Sequence, residues 1–410
     1  DARDAGLATE IVYGVLRVLP ELDRAIAAHL TKAPDRMDPL ARAALRAAAY
    51  QLRHLGRLPT HAIVDETVTF LREARSPKLA GFGNAILRKL AAERPAEPTP
   101  PNALCVPAWL EEELVRSLGP VRTRAMLVDR PLPPPLGLRL TPGAGDRDDV
   151  IATLRAAHPQ AEISASPLSP LGICARRIGA PRALAGYREG VLSVQEEGAQ
   201  LVALALGAEP GERIADVCAG HGGKTTLLAL AVGEAGHVTA IDVDERKLER
   251  IPDELRRLGV PTTRVAYHAI DVSVGQGGLN EAFDRVLVDA PCTGLGTVQR
   301  RPELLLRLGP EDPVRMAELQ LRILEKALSL VRPHGVLAFS VCSPTSAEGV
   351  EVASKLEAAH PELTRLREGL CPTLPVPDED GILRIGPWLA SPGSLSSPDA
   401  YQVVAWRRGS

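Results

Sequence analysis

One stretch near the middle of the chain decides its fold: Asp216-Val217-Cys218-Ala219-Gly220-His221-Gly222-Gly223-Lys224-Thr225. The apolar run from Arg213 to Val217 leads into it and predicts a buried strand, and a helix is predicted to open at its end. Glycines at such a junction let the backbone approach a ligand closely, and the first turn of the helix offers unpaired N–H groups. The stretch therefore predicts a ligand-binding loop in an open α/β sheet.

This loop matches neither common nucleotide-binding glycine pattern. It lacks G-x-G-x-x-G, and the interval between its first glycine and Lys224 is too short for the phosphate loop G-x-x-x-x-G-K-[ST], so a nucleotide triphosphatase is disfavoured. Asp242 lies at the end of the next predicted strand, His237 to Val243, and follows Asp216 by 26 residues. An acidic side chain at about this spacing reaches the hydroxyls of a bound ribose, which indicates an adenosine-containing cofactor. Asp271 either faces the adenine or caps a helix.

Two further predicted strands end in segments that contain a cysteine. The run Asp284 to Asp289 leads into Asp289-Ala290-Pro291-Cys292, and the run Gly335 to Cys342 ends in Ser340-Val341-Cys342-Ser343. The carboxyl ends of parallel strands meet at one edge of a sheet, so a single face would carry both thiols. Attack on carbon 6 of a pyrimidine needs a soft nucleophile, and a thiolate is the side chain that supplies it at neutral pH. The alternative is that both are inert, buried thiols.

Composition sets wider limits on the protein. With 410 residues, 45% apolar and 24% charged, the chain is expected to be soluble and globular, with two or three domains. Its six cysteines show no Cys-x-x-Cys spacing, which favours free thiols over a zinc site or a disulfide framework. We expect a cytoplasmic protein, because no apolar run approaches a membrane span and the N-terminus lacks the layout of a signal peptide. The chain does not begin with Met, so we expect its natural start to have been trimmed.

Patterns along the chain predict four segments. Residues 1–92 are expected to form an all-helical domain, broken at Pro59 and Ser76-Pro77, with a slight excess of basic side chains that is compatible with RNA contact. Residues 93–102 form a proline-rich linker, 103–195 a small α+β subdomain, and 196–410 a doubly wound α/β domain with an open parallel sheet. Within the subdomain we predict helices at Trp109 to Leu118 and Asp148 to Ala157, a strand at Leu136 to Leu140, and a proline cluster at Pro131 to Pro135.

Taken together, these motifs resemble those of the cytosine-5 RNA methyltransferases of the RsmB/Nol1/Nop2/Sun group. The central loop resembles their Asp-x-Cys-Ala-Ala-Pro-Gly-Gly-Lys-Thr, Asp289 to Gly296 resembles Asp-Ala-Pro-Cys-Ser-Gly-x-Gly, and Val341-Cys342-Ser343 resembles Thr-Cys-Ser. The helical segment resembles the NusB-like domain of the bacterial 16S ribosomal RNA members in three places: Tyr50-Gln51-Leu52, Pro59-Thr60-His61-Ala62 and Asn84-Ala85-Ile86-Leu87-Arg88. The resemblance covers nearly the whole chain, and its motifs are specific in combination.

The resemblance implies an enzyme that transfers a methyl group from S-adenosylmethionine to carbon 5 of a cytosine in 16S ribosomal RNA. It implies that Cys342 bonds to carbon 6, that Asp289 hydrogen-bonds the base ring, that Cys292 assists product release, and that Lys224 reaches the base or orients Asp289. The implied cofactor-binding residues are Cys218, Ala219, Gly220, His221, Gly222, Gly223, Lys224, Asp242 on the ribose, Arg246, Asp271 on the adenine, and Asp289. We expect a monomer that binds 16S ribosomal RNA and neither a membrane nor a metal.

The chain departs from the family pattern at several positions. His221 replaces a proline, Val341 replaces the threonine before the nucleophile, and Asp399-Ala400-Tyr401-Gln402 stands in place of Asp-Gly-Phe-Phe. The segment Gln299-Arg300-Arg301-Pro302-Glu303 stands where the family commonly has Arg-Arg, a variable residue, Pro and Asp, so Arg300 is the arginine that carries over more safely. These departures alter the predicted substrate fit without removing a catalytic atom.

Other functions are considered beside this one. An amino-group methyltransferase on the same fold usually carries Asn/Asp-Pro-Pro-aromatic at the strand end, where this chain has Asp289-Ala290-Pro291-Cys292. A catalytically silent NusB-like RNA-binding or ribosome-assembly factor is a second alternative, and a cytosine-5 methyltransferase acting on another RNA is a third. Cys218 is also consistent with a small apolar side chain that fills space, and His221 with a loop residue rather than a base.

Overall fold

The computed structural model describes residues 2–30, 37–128, 133–279, 282–368, 371, 374–391 and 393–410. The chain divides into two compact units. The first comprises Asp1–Glu112, Leu127–Pro133 and Val298–Arg307, and the second Glu113–Met126, Pro134–Thr297 and Leu308–Ser410. Asp1 and Pro131, on which two of the sequence-based predictions fall, lie outside the described residues. The division into four segments stays a prediction.

The first unit contains a helical domain with the predicted helix breaks. Its helices are α1 (Ala2–Arg17), α2 (Leu19–Ala27), α3 (Pro39–His54), α4 (Thr60–Ala74) and α5 (Pro77–Ala92). The breaks predicted at Pro59 and at Ser76-Pro77 are confirmed, because α4 begins directly after Pro59 and the Ser76 hydroxyl accepts the Leu79 N–H at the start of α5. Leucines that recur at steps of three and four, among them Leu45 and Leu52, fill the core between the helices.

The second unit holds a small antiparallel sheet. Helix α6 (Ala108–Leu127) leads toward it and is interrupted where Gly119 takes a φ of 76° before Pro120. The strands β1 (Leu136–Leu140), β2 (Glu162–Ala165), β3 (Gly172–Arg176) and β4 (Leu192–Val194) lie in the order β2-β3-β1-β4, and α7 (Arg147–Ala157) follows β1. The predicted strand at Leu136 to Leu140 is confirmed, and the two predicted helices are present with longer bounds.

A larger sheet forms the rest of the second unit. Its strands are β5 (Arg213–Val217), β6 (His237–Asp242), β7 (Val265–Ala269), β8 (Phe283–Asp289), β9 (Val331–Val341), β10 (Leu363–Arg365), β11 (Leu383–Ile385) and β12 (Tyr401–Arg408). The helices around it are α8 (Glu197–Ala205), α9 (Gly223–Ala231), α10 (Glu245–Leu248), α11 (Ile251–Arg257), α12 (Asp312–Leu328) and α13 (Val350–Ala359). The strand order is β10-β12-β9-β8-β5-β6-β7, with β11 beside β12.

Helices cover both faces of this sheet, as expected for a doubly wound fold. Along β8, Val286 and Val288 belong to the apolar cluster that includes α12 and α13, whereas Leu287 between them belongs to the cluster that includes α8, α9 and α11. Alternate residues of a strand point to opposite faces, so a strand buried on both sides is a continuous apolar run. The four strands predicted from such runs are present, with bounds that shift by a few residues.

The sheet differs from the prediction in being mixed. Strands β5 to β9 pair in parallel, whereas β12 pairs antiparallel with β9, β10 and β11. Within the parallel part the strand order reverses between β5 and β8, because the chain proceeds from β5 to β6 and β7 on one side and from β8 to β9 on the other. Such a reversal opens a crevice at the carboxyl ends of the strands, which is where open α/β sheets bind ligands.

Candidate active site

The loop after β5 lies at this crevice and has an unusual backbone. Cys218 takes a φ of 63°, which side chains with a Cβ rarely adopt, and Gly220 and Gly222 follow with φ of 58° and 78°. The place where a side chain of Gly222 would lie is filled by Ile251, so a larger residue would meet both strain and overlap. The loop is thereby held in one tight conformation between β5 and α9.

Asp242 closes the loop from the next strand. It is buried at the end of β6, and its Oδ2 accepts the Gly220 N–H at 2.8 Å while its Oδ1 accepts the Asp244 N–H at 2.9 Å. Lys247 Nζ lies 3.6 Å from Oδ1. The carboxylate therefore links the carboxyl ends of β5 and β6, and it retains lone pairs that can accept further hydrogen bonds.

An ion pair lies at the carboxyl end of β8. Lys224 Nζ is 2.5 Å from Asp289 Oδ2, and the Ser340 hydroxyl donates to Asp289 Oδ1 at 2.6 Å. The parallel register of β8 and β9 places Asp289 beside Ser340. Burial alone would lower the pKa of Lys224, but the charge of Asp289 and their hydrogen bond outweigh it and raise that pKa. Lys224 therefore stays cationic at neutral pH.

The two predicted cysteines come together beside this pair. Cys292 Sγ lies 3.2 Å from Cys342 Sγ, and both thiols are free and half-buried. The hydrogen bond to Cys342, followed by burial and by nearby negative charge, raises the pKa of Cys292 well above that of an ordinary thiol. Cys292 therefore stays protonated at neutral pH, and at this distance either thiol can donate to the other. The Cys342 sulfur is also close enough to contribute to the raised pKa of Lys224.

The predicted residues do not all point into one site. His221 is exposed at the tip of the loop, and Arg246 is exposed on α10, where Lys247 rather than Arg246 pairs with Asp242. Asp271 follows β7 and its Oδ1 accepts both the amide and the hydroxyl of Ser273, so it caps its own turn. Cys218 packs against the apolar core, and burial raises the pKa of its thiol.

The structure adds residues that were not predicted from the sequence. Lys224 Nζ lies 5.9 Å from the centre of the Tyr401 ring, a cation–π contact with the first residue of β12. Burial raises the pKa of Tyr401 well above its ordinary value, so its phenol stays protonated. Glu348 and Gln402 are both buried, and they form hydrogen bonds with the turns that follow the two cysteines. Tyr401 and Gln402 occupy a departure from the family pattern, which was the only signal the sequence offered.

The residues present fit S-adenosylmethionine. Helix α9 begins at Gly223 behind Gly222, which gives no side-chain cap, so the first-turn N–H groups are available to a carboxylate. Asp242 offers lone pairs at the position that suits ribose hydroxyls, next to the exposed apolar side chain of Val243. An anion site, an acidic acceptor and an apolar surface thus adjoin one another along the β5 and β6 ends.

Comparison with known proteins decides the family. The profile described as 16S rRNA methyltransferase RsmB/F matches residues 203–370, and the NusB family profile matches residues 1–92. The ribosomal RNA small subunit methyltransferase B of Pseudomonas putida is 32% identical over 366 residues, which cover 88% of this chain and 83% of that protein. The chain belongs to the 16S rRNA methyltransferase RsmB/F family.

Solved structures agree with this membership. The crystal structure of PH0851 is 25% identical, with a TM-score of 0.77 over 98% of this chain and 89% of that one. NSun6 from Pyrococcus horikoshii, solved with SFG, is 18% identical with a TM-score of 0.61 over 74% of this chain and 98% of that one, and so shares its fold. As an RsmB/F member the chain is an S-adenosylmethionine-dependent ribosomal RNA methyltransferase.

Two findings concern features outside this chemistry. None of the described helices is long and apolar enough to cross a membrane. Within the described part of the chain, no group of three or more His, Cys, Asp or Glu side chains is placed to hold a metal ion.

Proposed function

We propose that this RsmB/F member methylates carbon 5 of a cytosine in 16S ribosomal RNA and that Cys342 forms a transient covalent bond to carbon 6 of the base. The observation that carries the proposal is the position of the Cys342 sulfur, at the carboxyl end of β9 and 3.2 Å from Cys292 Sγ. A methyltransferase that acts on an amino group has no use for a nucleophilic thiol, whereas carbon 5 of cytosine is unreactive until a nucleophile adds to carbon 6.

The neighbouring residues suit the addition step. When Cys342 bonds to carbon 6, the electron pair of the carbon 5–carbon 6 double bond moves toward carbon 5 and makes that carbon nucleophilic. Asp289, held by Lys224 and Ser340, can hydrogen-bond the polar edge of the ring and orient it over the thiol. Bound S-adenosylmethionine supplies the methyl group that carbon 5 takes up.

The second cysteine suits the elimination step. Carbon 5 must lose its proton to water or a weak base, and the bond between carbon 6 and the Cys342 sulfur must then break. Cys292, kept protonated by its raised pKa, lies within hydrogen-bond distance of that sulfur and can donate to it as it leaves. The base must also leave the RNA stack to reach these groups, because the reacting carbons are covered inside a helix.

Covalent trapping tests this proposal. Fluorine at carbon 5 cannot be lost as a proton, so RNA that contains 5-fluorocytosine should remain attached to the wild-type enzyme after denaturation when S-adenosylmethionine is present. Cys342→Ala should form no such complex, whereas Cys174→Ala, which alters a buried thiol of β3 outside the site, should form it normally. Absence of a complex in the wild type, or its persistence in Cys342→Ala, would refute the assignment of the nucleophile.

A further inference from the structure

The turns that follow the two cysteines are bound to one buried carboxylate. Glu348 is fully buried just before α13, and it accepts the N–H and the hydroxyl of Thr293 at 2.7 and 2.6 Å. It also accepts the hydroxyls of Ser343 and Thr345 at 2.6 and 3.1 Å. Thr293 follows Cys292 directly and Ser343 follows Cys342 directly, so a single side chain connects the two turns.

A buried amide holds the second of these turns from the opposite side. Gln402 Nε2 donates to the Ser343 carbonyl at 2.8 Å and to the Thr345 carbonyl at 2.9 Å. The antiparallel register of β12 and β9 pairs Gln402 with Val341, the residue before Cys342. A side chain on Gly349 would lie 2.1 Å from Gln402 Oε1, so the chain leaves space for this amide by having a glycine there.

A third side chain completes the network around Glu348. Gln320, buried on α12, donates through Nε2 to the Pro291 carbonyl at 3.0 Å and to Glu348 Oε1 at 3.3 Å. Pro291 precedes Cys292, so the turn around that cysteine is held both before and after the thiol. The Cys342 carbonyl in turn accepts the Gly296 N–H at 2.9 Å.

Simple packing does not account for this arrangement. A carboxylate and an amide cost free energy to bury unless they are hydrogen-bonded. Both oxygens of Glu348 and the Nε2 of Gln402 have partners, whereas among the described residues Gln320 Oε1 has none. An apolar side chain at position 402 would offer no hydrogen to the Ser343 and Thr345 carbonyls. In the part of the chain that the structure describes, no hydrogen bond joins Gln402 to either sulfur atom, so its effect on the thiols passes through the turns, whereas the charge of Glu348 also contributes to the raised pKa of Cys292.

We infer that Glu348 and Gln402 are positioning residues that fix the Cys342 turn against the Cys292 turn and thereby set the separation of the two sulfur atoms. The catalytic consequence rests on the proposed function, whereas the geometric part does not. Loss of this constraint lowers the effective concentration of one thiol near the other. Small misplacements of reacting groups also slow a reaction considerably.

The geometric part is tested without RNA. Diamide oxidises a pair of adjacent thiols to a disulfide, and peptide mass spectrometry follows the Cys292–Cys342 product over time. Gln402→Met keeps the length of the side chain and removes the donor, and we expect its disulfide to form at least about tenfold more slowly than in the wild type. An unchanged rate in Gln402→Met would overturn the inference.

Gln200→Met is the matched control. Gln200 is also fully buried, and its Nε2 likewise donates to two backbone carbonyls, those of Leu138 at 3.1 Å and Gln195 at 2.9 Å. Gln200 Oε1 also accepts the Ser169 hydroxyl at 2.7 Å, so Gln200→Met should destabilise the protein at least as much as Gln402→Met. Only Gln402→Met should slow disulfide formation. Equal slowing in both variants would show a general loss of stability and would overturn the inference.

Two further measurements separate the inference from the proposed function. In single-turnover trapping with 5-fluorocytosine RNA, Gln402→Met should lower the rate of adduct formation at saturating RNA and leave the affinity for S-adenosylmethionine unchanged. If the wild type forms no adduct while disulfide formation still slows, the proposed function fails and the positioning role stands. Should Gln402→Met not fold, Glu348→Gln replaces it, because it retains the volume and removes the charge that the Thr293 and Ser343 hydroxyls bind. Removal of that charge also lowers the pKa of Cys292 and by itself speeds oxidation, so only slower disulfide formation in this variant supports the positioning role.

Discussion

The sulfur atoms of Cys292 and Cys342 lie 3.2 Å apart although 50 residues separate them in the chain. Cys292 stays protonated because its hydrogen bond to Cys342 and its burial raise its pKa. At this separation the two sulfur atoms are within hydrogen-bond distance of each other. In the proposed function, Cys342 is the nucleophile and Cys292 assists its departure.

We predict that Cys292→Ala traps the enzyme on ordinary RNA. Addition by Cys342 does not require the second thiol, but departure of the sulfur loses its hydrogen-bond donor, so the covalent intermediate should accumulate without any fluorine in the base. Denaturing gel electrophoresis of the variant with unmodified 16S RNA and S-adenosylmethionine measures this product. Cys174→Ala, which changes a thiol far along the chain on β3, should show no accumulation.

We predict that Asp289→Asn slows covalent trapping far more than a loss of stability alone would slow it. The change leaves the Lys224 cation without its partner and weakens the hydrogen bond offered to the base, so the rate of adduct formation should fall by about 100-fold or more. Asp284→Asn is the matched control, because Asp284 lies on the same strand, is similarly half-buried and pairs with Arg332. Similar rates of trapping in the two variants would contradict a role for Asp289 in the reaction.

We predict that Asp242 and Asp271 differ in their contribution to cofactor binding. Asp242→Asn should weaken S-adenosylmethionine binding by roughly 10- to 100-fold, because it loses acceptors for the ribose and for the Gly220 N–H. Isothermal titration calorimetry measures the affinity of both variants for S-adenosylmethionine. Asp271 already caps the turn to Ser273, and Asp271→Asn should weaken binding only if its other oxygen reaches the adenine, as the family resemblance implies. Unchanged affinity in Asp242→Asn would exclude it from the ribose site.

Much of the sheet could be predicted because its signals are local. The run from Arg213 to Val217 has apolar residues at Ile214, Ala215 and Val217 and leads into a glycine loop, and the structure has a strand with those bounds. The ends of β6, β8 and β9 could be located in the same way, and parallel pairing then brings their last residues to one edge. Cys292 and Cys342 come just after the ends of β8 and β9, so the sequence could predict that they lie close together at that edge.

The C-terminal part of the site could not be predicted, because its signals are not local. Strand β12 reaches β9 only through antiparallel pairing across about 60 residues, so nothing near Gln402 indicates that it faces the Cys342 turn. Glu348 precedes α13 like an ordinary first-turn acidic residue, and only the tertiary structure shows that it binds Thr293. Tyr401 was noticed only as a departure from the family pattern.

Asp216 should make the stability of the second unit depend on pH. Burial raises its pKa from 3.8 to about 7, despite the hydrogen bond from Thr225 and the nearby charge of Lys224, and among the described residues its Oδ1 has no hydrogen-bond partner. In the unfolded chain this carboxyl ionises at lower pH. The folded state therefore binds more protons between the two pKa values, and stability must fall as the pH rises through that window.

Asp216→Asn removes this dependence while it keeps an acceptor for the Thr225 hydroxyl. We expect ionisation of Asp216 to lower the free energy of unfolding of the wild type by about 1.4 kcal/mol for each pH unit between pH 5 and the folded-state pKa of about 7, and by little more from there to pH 8. The variant should not show that part of the loss, so it should be more stable than the wild type at pH 8 and differ less at pH 5. Urea unfolding at the two pH values measures the difference. Asp284→Asn, which alters an ion-paired carboxylate on β8, is the control and should keep the pH dependence of stability of the wild type. If Asp216→Asn kept that dependence too, Asp216 would ionise normally in the folded protein.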